Sequence, residues 1–60
     1  MTVENFSILE AVELAVGIEE EGIRFYTLAA EKVTEPELKQ LFETLKDKEY
    51  DHIKTFRNLR

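Results

Sequence analysis

Val33-Thr34-Glu35-Pro36-Glu37 separates two long segments rich in Glu, Leu, Ala and Lys, neither of which alternates with period two. Both segments therefore read as helices. Proline fits a helix only in its first turn, so Pro36 marks the start of the second helix rather than the middle of one long rod. Thr34 and Glu37 repeat across Pro36 the spacing of a capping box. Ser7 and Glu10 show the same Ser-x-x-Glu pattern near the start of the chain, with Phe6 placed where a hydrophobic staple begins. The spacing predicts an all-α antiparallel hairpin within a single unit over residues 1–60, with helix 1 over about 8–33, a turn at 34–36 and helix 2 over about 35–59. Nothing in Phe56-Arg57-Asn58-Leu59-Arg60 stops a helix firmly.

The composition excludes several chemistries. With no Cys among 60 residues, a disulfide framework, a thiolate zinc site and an iron–sulfur or rubredoxin-type centre have no ligands. Eight Lys and Arg against 13 Asp and Glu leave a charge of −5, with the basic residues scattered. That pattern gives no nucleic-acid footprint. The first five residues have neither a basic region nor an apolar core, and no apolar run approaches the ~18 residues of a membrane span. The expectation is a cytoplasmic protein with no membrane or nucleic-acid partner. A domain of this length hides only ~60% of its unfolded surface, yet 43% of the chain is hydrophobic. Self-association is expected.

Each helix carries one apolar stripe with a polar interruption near its middle. Steps of three and four give Leu9, Val12, Val16, Glu19, Ile23, Tyr26, Ala30 and Val33 on helix 1. On helix 2 they give Leu38, Phe42, Leu45, Glu49, His52, Phe56 and Leu59. At ~100° per residue, Glu20 falls at the edge of the helix 1 stripe and Glu21 near the opposite side. Only Glu19 of the three acids points inward. A flanking row of Ile8, Ala11, Ala15, Ile18, Gly22, Phe25 and Ala29 widens the apolar face of helix 1 to about half its circumference. A face that wide needs two neighbours, which a second copy related by a two-fold axis supplies as a homodimeric four-helix bundle. Leu14 and Leu28 lie on the outer face, where they hint at assembly beyond the dimer or stand harmlessly exposed.

Folding at Thr34–Pro36 sets Glu19 level with the stretch around Tyr50 and Asp51, because both helices climb ~1.5 Å per residue. Glu49 and His52, three apart, bracket that level. The pattern thus predicts three buried polar groups in one layer, and a dimer doubles them to four carboxylates and two imidazoles. Buried unpaired carboxylates cost several kcal/mol each or take up protons. Two divalent cations per dimer would neutralise them. Oxygen-rich ligation with one imidazole per metal and no sulfur suits iron, with manganese as the other candidate. Haem lacks support, since Met1 is the only methionine and lies outside both helices.

A lone Glu on one helix and Glu-x-x-His on the next is the half-site of di-iron carboxylate bundles. Glu19-x-x-Gly22-x-x-Phe25-Tyr26-x-x-Ala29-Ala30, Pro36-Glu37-Leu38, Leu41-Phe42 and Glu49-x-x-His52 together resemble one half of the rubrerythrin branch of the ferritin-like superfamily. The resemblance spans nearly the whole chain. It implies Glu19 as the helix 1 carboxylate, Glu49 as a bridging carboxylate, His52 as the imidazole ligand and Tyr26 as the tyrosine behind the ligands. It also implies Fe(II) reacting with dioxygen or peroxide, as a rubrerythrin-like peroxidase with an external electron donor or as a ferroxidase. Fused rubrerythrins carry two such halves, and many add a rubredoxin domain and an extra carboxylate. These 60 residues hold one half, without the cysteines. They are similar in this to encapsulated ferritins, single-hairpin relatives that build di-iron sites between subunits and oxidise ferrous iron.

A different class of function stays open beside this one, a metal-free structural or adaptor dimer of hairpins. In that case Glu19 specifies register at a cost in stability, the Glu49–His52 spacing is chance on a charged helix, and Tyr26 is a core aromatic. Tyr50 and Asp51 read as edge and solvent positions. Glu10, Glu13, Glu20, Glu21, Glu31 and Glu43 read as a solvated face.

Overall fold

The computed structural model describes residues 7–59 and contains two helices, α1 (Ile8–Lys32) and α2 (Pro36–Arg57), packed as a hairpin. The reciprocal capping box at the start of α1 is formed. Ser7 Oγ accepts from the Glu10 backbone N–H at 3.0 Å, and Glu10 Oε1 accepts from the Ser7 N–H at 3.0 Å. Two of the four orphan donors of a helix start are thereby satisfied. The staple expected at Phe6 lies outside the described residues.

The turn differs from the expected one by a residue. Glu35, not Thr34, is the N-cap of α2, in extended conformation (φ −75°, ψ 126°) and without a side-chain cap. The cause is Pro36 at the helix start, whose ring excludes the preceding residue from the α region. Thr34 thus stands one position too early to cap. Val33 is likewise extended and closes α1, its N–H donating to the Ala29 carbonyl. Lys39 reaches back from α2 and donates to the Ala30 carbonyl at 2.7 Å. This ties the open end of α1 to the helix that follows it. Asn58 caps α2, donating to the Lys54 carbonyl at 3.1 Å, so the helix stops at Arg57 rather than Leu59.

A hairpin is one layer thick, 11 Å in its thinnest dimension. That is a single helix diameter, so little can be fully covered. Val12, Val16 and Ile53 form the buried cluster, with Ile23 and Phe56 against it, and Ala30 is buried near the turn. Towards the turn, Tyr26 stacks on Phe42 at 6.2 Å between ring centroids and meets Phe25 edge-on at 5.4 Å.

Ile53 corrects the helix 2 stripe. From Glu49, a step of three leads to His52 and a step of four to Ile53, and both paths rejoin at Phe56. The helix crossing turns the second path inward. Ile53 is 9% exposed, whereas His52 lies to one side with 55% of its side chain accessible. The flanking row of α1 is open in the single hairpin, with Ile8, Ile18 and Phe25 all well exposed. Leu14 and Leu28 are exposed on the outer face, as expected there. Among the described residues, no helix is long and apolar enough to cross a membrane.

Candidate metal centre

Glu19 sits at the midpoint of α1, one turn after Val16 and one turn before Ile23, so the packing that buries those neighbours aims its carboxylate at α2. Glu49 occupies the matching level of α2, one turn before Ile53. Their side chains are mostly covered, at 19% and 18% exposure. His52 follows Glu49 by three residues, close enough on a helix surface for the side chains to meet.

The three side chains converge. His52 Nδ1 lies 3.3 Å from Glu19 Oε2 and 3.3 Å from Glu49 Oε1. One ligand atom from each residue falls within 4.8 Å of the others. Burial is less complete than the sequence pattern predicts, because the imidazole lies at the open flank of a single hairpin. By helical geometry this flank is the one bearing Ala11, Ala15, Ile18 and Gly22 of α1. An apolar groove lined by Ile8, Ala11, Ala15 and Phe56 runs along the same side.

The charges in this cluster act on one another. A hydrogen bond with Glu49 holds the Glu19 carboxyl below the usual carboxylate range, against burial and with help from His52. The same hydrogen bond holds Glu49 above it, reinforced by burial and by the charge of Glu19. That hydrogen bond thus favours the charged form of Glu19 and the protonated form of Glu49.

Tyr26 lies two turns beyond Glu19 on the same stripe, its ring fixed by Phe25 and Phe42. Asp51 and Tyr50 are exposed. The backbone carbonyl of Asp51 accepts from the Thr55 hydroxyl. The sequence places Gly22 in the flanking row and in the family motif but does not reveal its contact: it packs directly under the Glu49 carboxylate. Its place one turn after Glu19, in a row of small residues, was the available signal.

The rubrerythrin family model matches residues 1–60. The chain belongs to the rubrerythrin family. Comparison with curated proteins and with solved structures finds no match. Rubrerythrins bind iron, and the donor set of this one fits that ion. Two carboxylates and one imidazole, with no sulfur, are the ligands that octahedral or five-coordinate iron and manganese accept. The hairpin offers three ligating side chains.

Proposed function

We propose that the chain is a non-haem di-iron oxidoreductase whose site lies between two copies, reacting Fe(II) with dioxygen or peroxide as a peroxidase or a ferroxidase. The convergence of Glu19, Glu49 and His52 carries this reading. Membership of the rubrerythrin family supports it. The open flank beside His52 supports the second copy, since a two-fold mate laid on Ala11, Ala15 and Ile18 would cover both the apolar face and the imidazole. Mating of this kind brings Glu19, Glu49 and His52 from each copy into one layer, enough for two ions. Iron bound there would supply one electron per ion, so that a pair reduces peroxide and two protons to two waters.

The residues have separable tasks. Glu19 offers a carboxylate that already favours ionisation. Glu49, whose protonated form the hydrogen bond with Glu19 favours, ligates as the carboxylate, so that binding competes with protons. His52 turns Nδ1 toward both carboxylates, and ligation through that atom places the ring proton on Nε2. Tyr26 stands behind the layer as a proton or hydrogen-bond donor.

Elemental analysis of protein purified without chelator tests the proposal, followed by anaerobic Fe(II) titration and exposure to oxygen or peroxide. Two iron ions per dimer, oxidised on exposure, are expected. Protein that folds and dimerises but takes up no Fe(II) or Mn(II) would make it the metal-free adaptor.

A further inference from the structure

α1 contains two glycines, Gly17 and Gly22, at ordinary helical backbone angles. Neither is required by conformation, and each weakens the helix relative to alanine. What surrounds them differs. A Cβ on Gly17 would meet nothing within 4 Å. A Cβ on Gly22 would stand 2.7 Å from Glu49 Oε2, 3.5 Å from its carboxyl carbon and 3.7 Å from its Cγ. We propose that Gly22 is a positioning residue for Glu49, a notch in α1 that lets the carboxylate lie against the helix beside Glu19 and His52.

This inference rests on the metal-site reading and adds to it the group that sets the carboxylate's position. Carbon and oxygen do not approach to 2.7 Å without overlap, so a methyl group at position 22 forces the oxygen outward by on the order of 0.5–1 Å. The displaced atom is the far end of a flexible side chain. Rotation about its own torsions relieves the clash, and the helices need not part. The fold therefore tolerates the methyl group, while the ligand geometry does not: a coordinating constellation holds only within ~0.5 Å of its productive arrangement.

Gly17 provides a matched control, being on the same helix, with the same gain in helix propensity on substitution and no neighbour to disturb. The experiment compares wild type, Gly17→Ala and Gly22→Ala as the full 60-residue chain, using Co(II) as the probe. Melting in chelator reads the fold, and titration followed by visible absorption reads affinity and coordination geometry. Both alanine variants should melt a few degrees above wild type in chelator. Gly17→Ala should bind Co(II) as wild type does. Gly22→Ala should bind roughly 10–100-fold more weakly, the usual cost of disturbing a ligand's support, with a changed absorption band. In a Glu49→Asp background the shorter side chain does not reach the notch, so Gly22→Ala should add no further loss. Equal binding by Gly22→Ala and wild type overturns the inference, as does an equal penalty in the Glu49→Asp background. A chelator melt of Gly22→Ala below wild type also overturns it, because the fold would then have absorbed the clash. Wild type that takes up no Co(II) brings down the metal reading as well. Binding wild type with an unaffected Gly22→Ala brings down this inference alone.

Discussion

His52 Nδ1 lies 3.3 Å from Glu19 Oε2, an oxygen on the other helix and 33 residues earlier in the chain. The same nitrogen is 3.3 Å from Glu49 Oε1 on its own helix. One imidazole edge is thus shared by two carboxylates, one on each helix.

Removing a ligand should differ sharply from removing a neighbour. Glu49→Ala and His52→Ala should each abolish most bound iron, measured per chain after anaerobic loading. Asp51→Ala should retain it, because Asp51 is exposed and contributes only a backbone carbonyl to Thr55. Equal loss from all three would place the ion elsewhere.

The carboxylate pair should make metal-free stability depend on pH in a direction fixed by Glu49. Its pKa is raised by the hydrogen bond with Glu19, by burial and by the charge of Glu19. The protonated form therefore stabilises the fold below the ordinary carboxylate range, and that contribution is lost as pH rises through the raised value. Glu49→Gln mimics the protonated form at every pH. In chelator it should melt above wild type at neutral pH, with the gap closing as the solution is acidified to the ordinary carboxylate range. A gap independent of pH would contradict the raised Glu49 pKa. Loading wild type with Mn(II) should also release protons into weakly buffered solution, and more weakly bound metal is expected at acid pH.

The open flank should be covered by a second copy. Obligate interfaces of this type bury more than ~2,000 Å², so wild type should sediment as a dimer at micromolar concentration. Ile18→Glu and Leu41→Glu place charge on the flank that carries His52 and should dissociate it. Leu28→Glu, on the outer face, should leave the dimer intact. A wild-type chain that sediments as a folded monomer would remove the second copy from the proposal.

Much of this was legible in local spacing, and what was not depended on how the helices cross. The Ser7–Glu10 box is a contact between residues three apart, so the sequence pattern specifies it completely. Glu49 and His52 were legible for the same reason. Helix 2 offered two routes from Glu49 to Phe56, and only the crossing of α1 and α2 chose Ile53 for the core and His52 for the flank. The notch at Gly22 was hidden in the same way, since it exists only where a side chain from α2 approaches the α1 backbone. The N-cap at Glu35 was available in principle, because Pro36 holds whatever precedes it in extended conformation.

Replacing Glu19 with Leu should move the metal-free and metal-loaded proteins in opposite directions. At neutral pH the metal-free dimer would hold two copies each of Glu19 and Glu49 in one largely covered layer, where repulsion and desolvation oppose ionising all four at once. Glu19→Leu removes one pair of these charges and fills the stripe between Val16 and Ile23 with apolar surface. It should therefore melt above wild type in chelator. Addition of Fe(II) or Mn(II) reverses the order. Wild type gains through linkage, about 2.7 kcal/mol at a hundredfold excess over Kd, whereas the variant lacks a ligand from each copy and gains little. The sign changes because the carboxylate that costs stability without metal supplies a ligand with it. Were Glu19 only a specifier of register, substitution would leave metal stabilisation intact. Thermal melts of both proteins, each with chelator and with metal, separate the two cases.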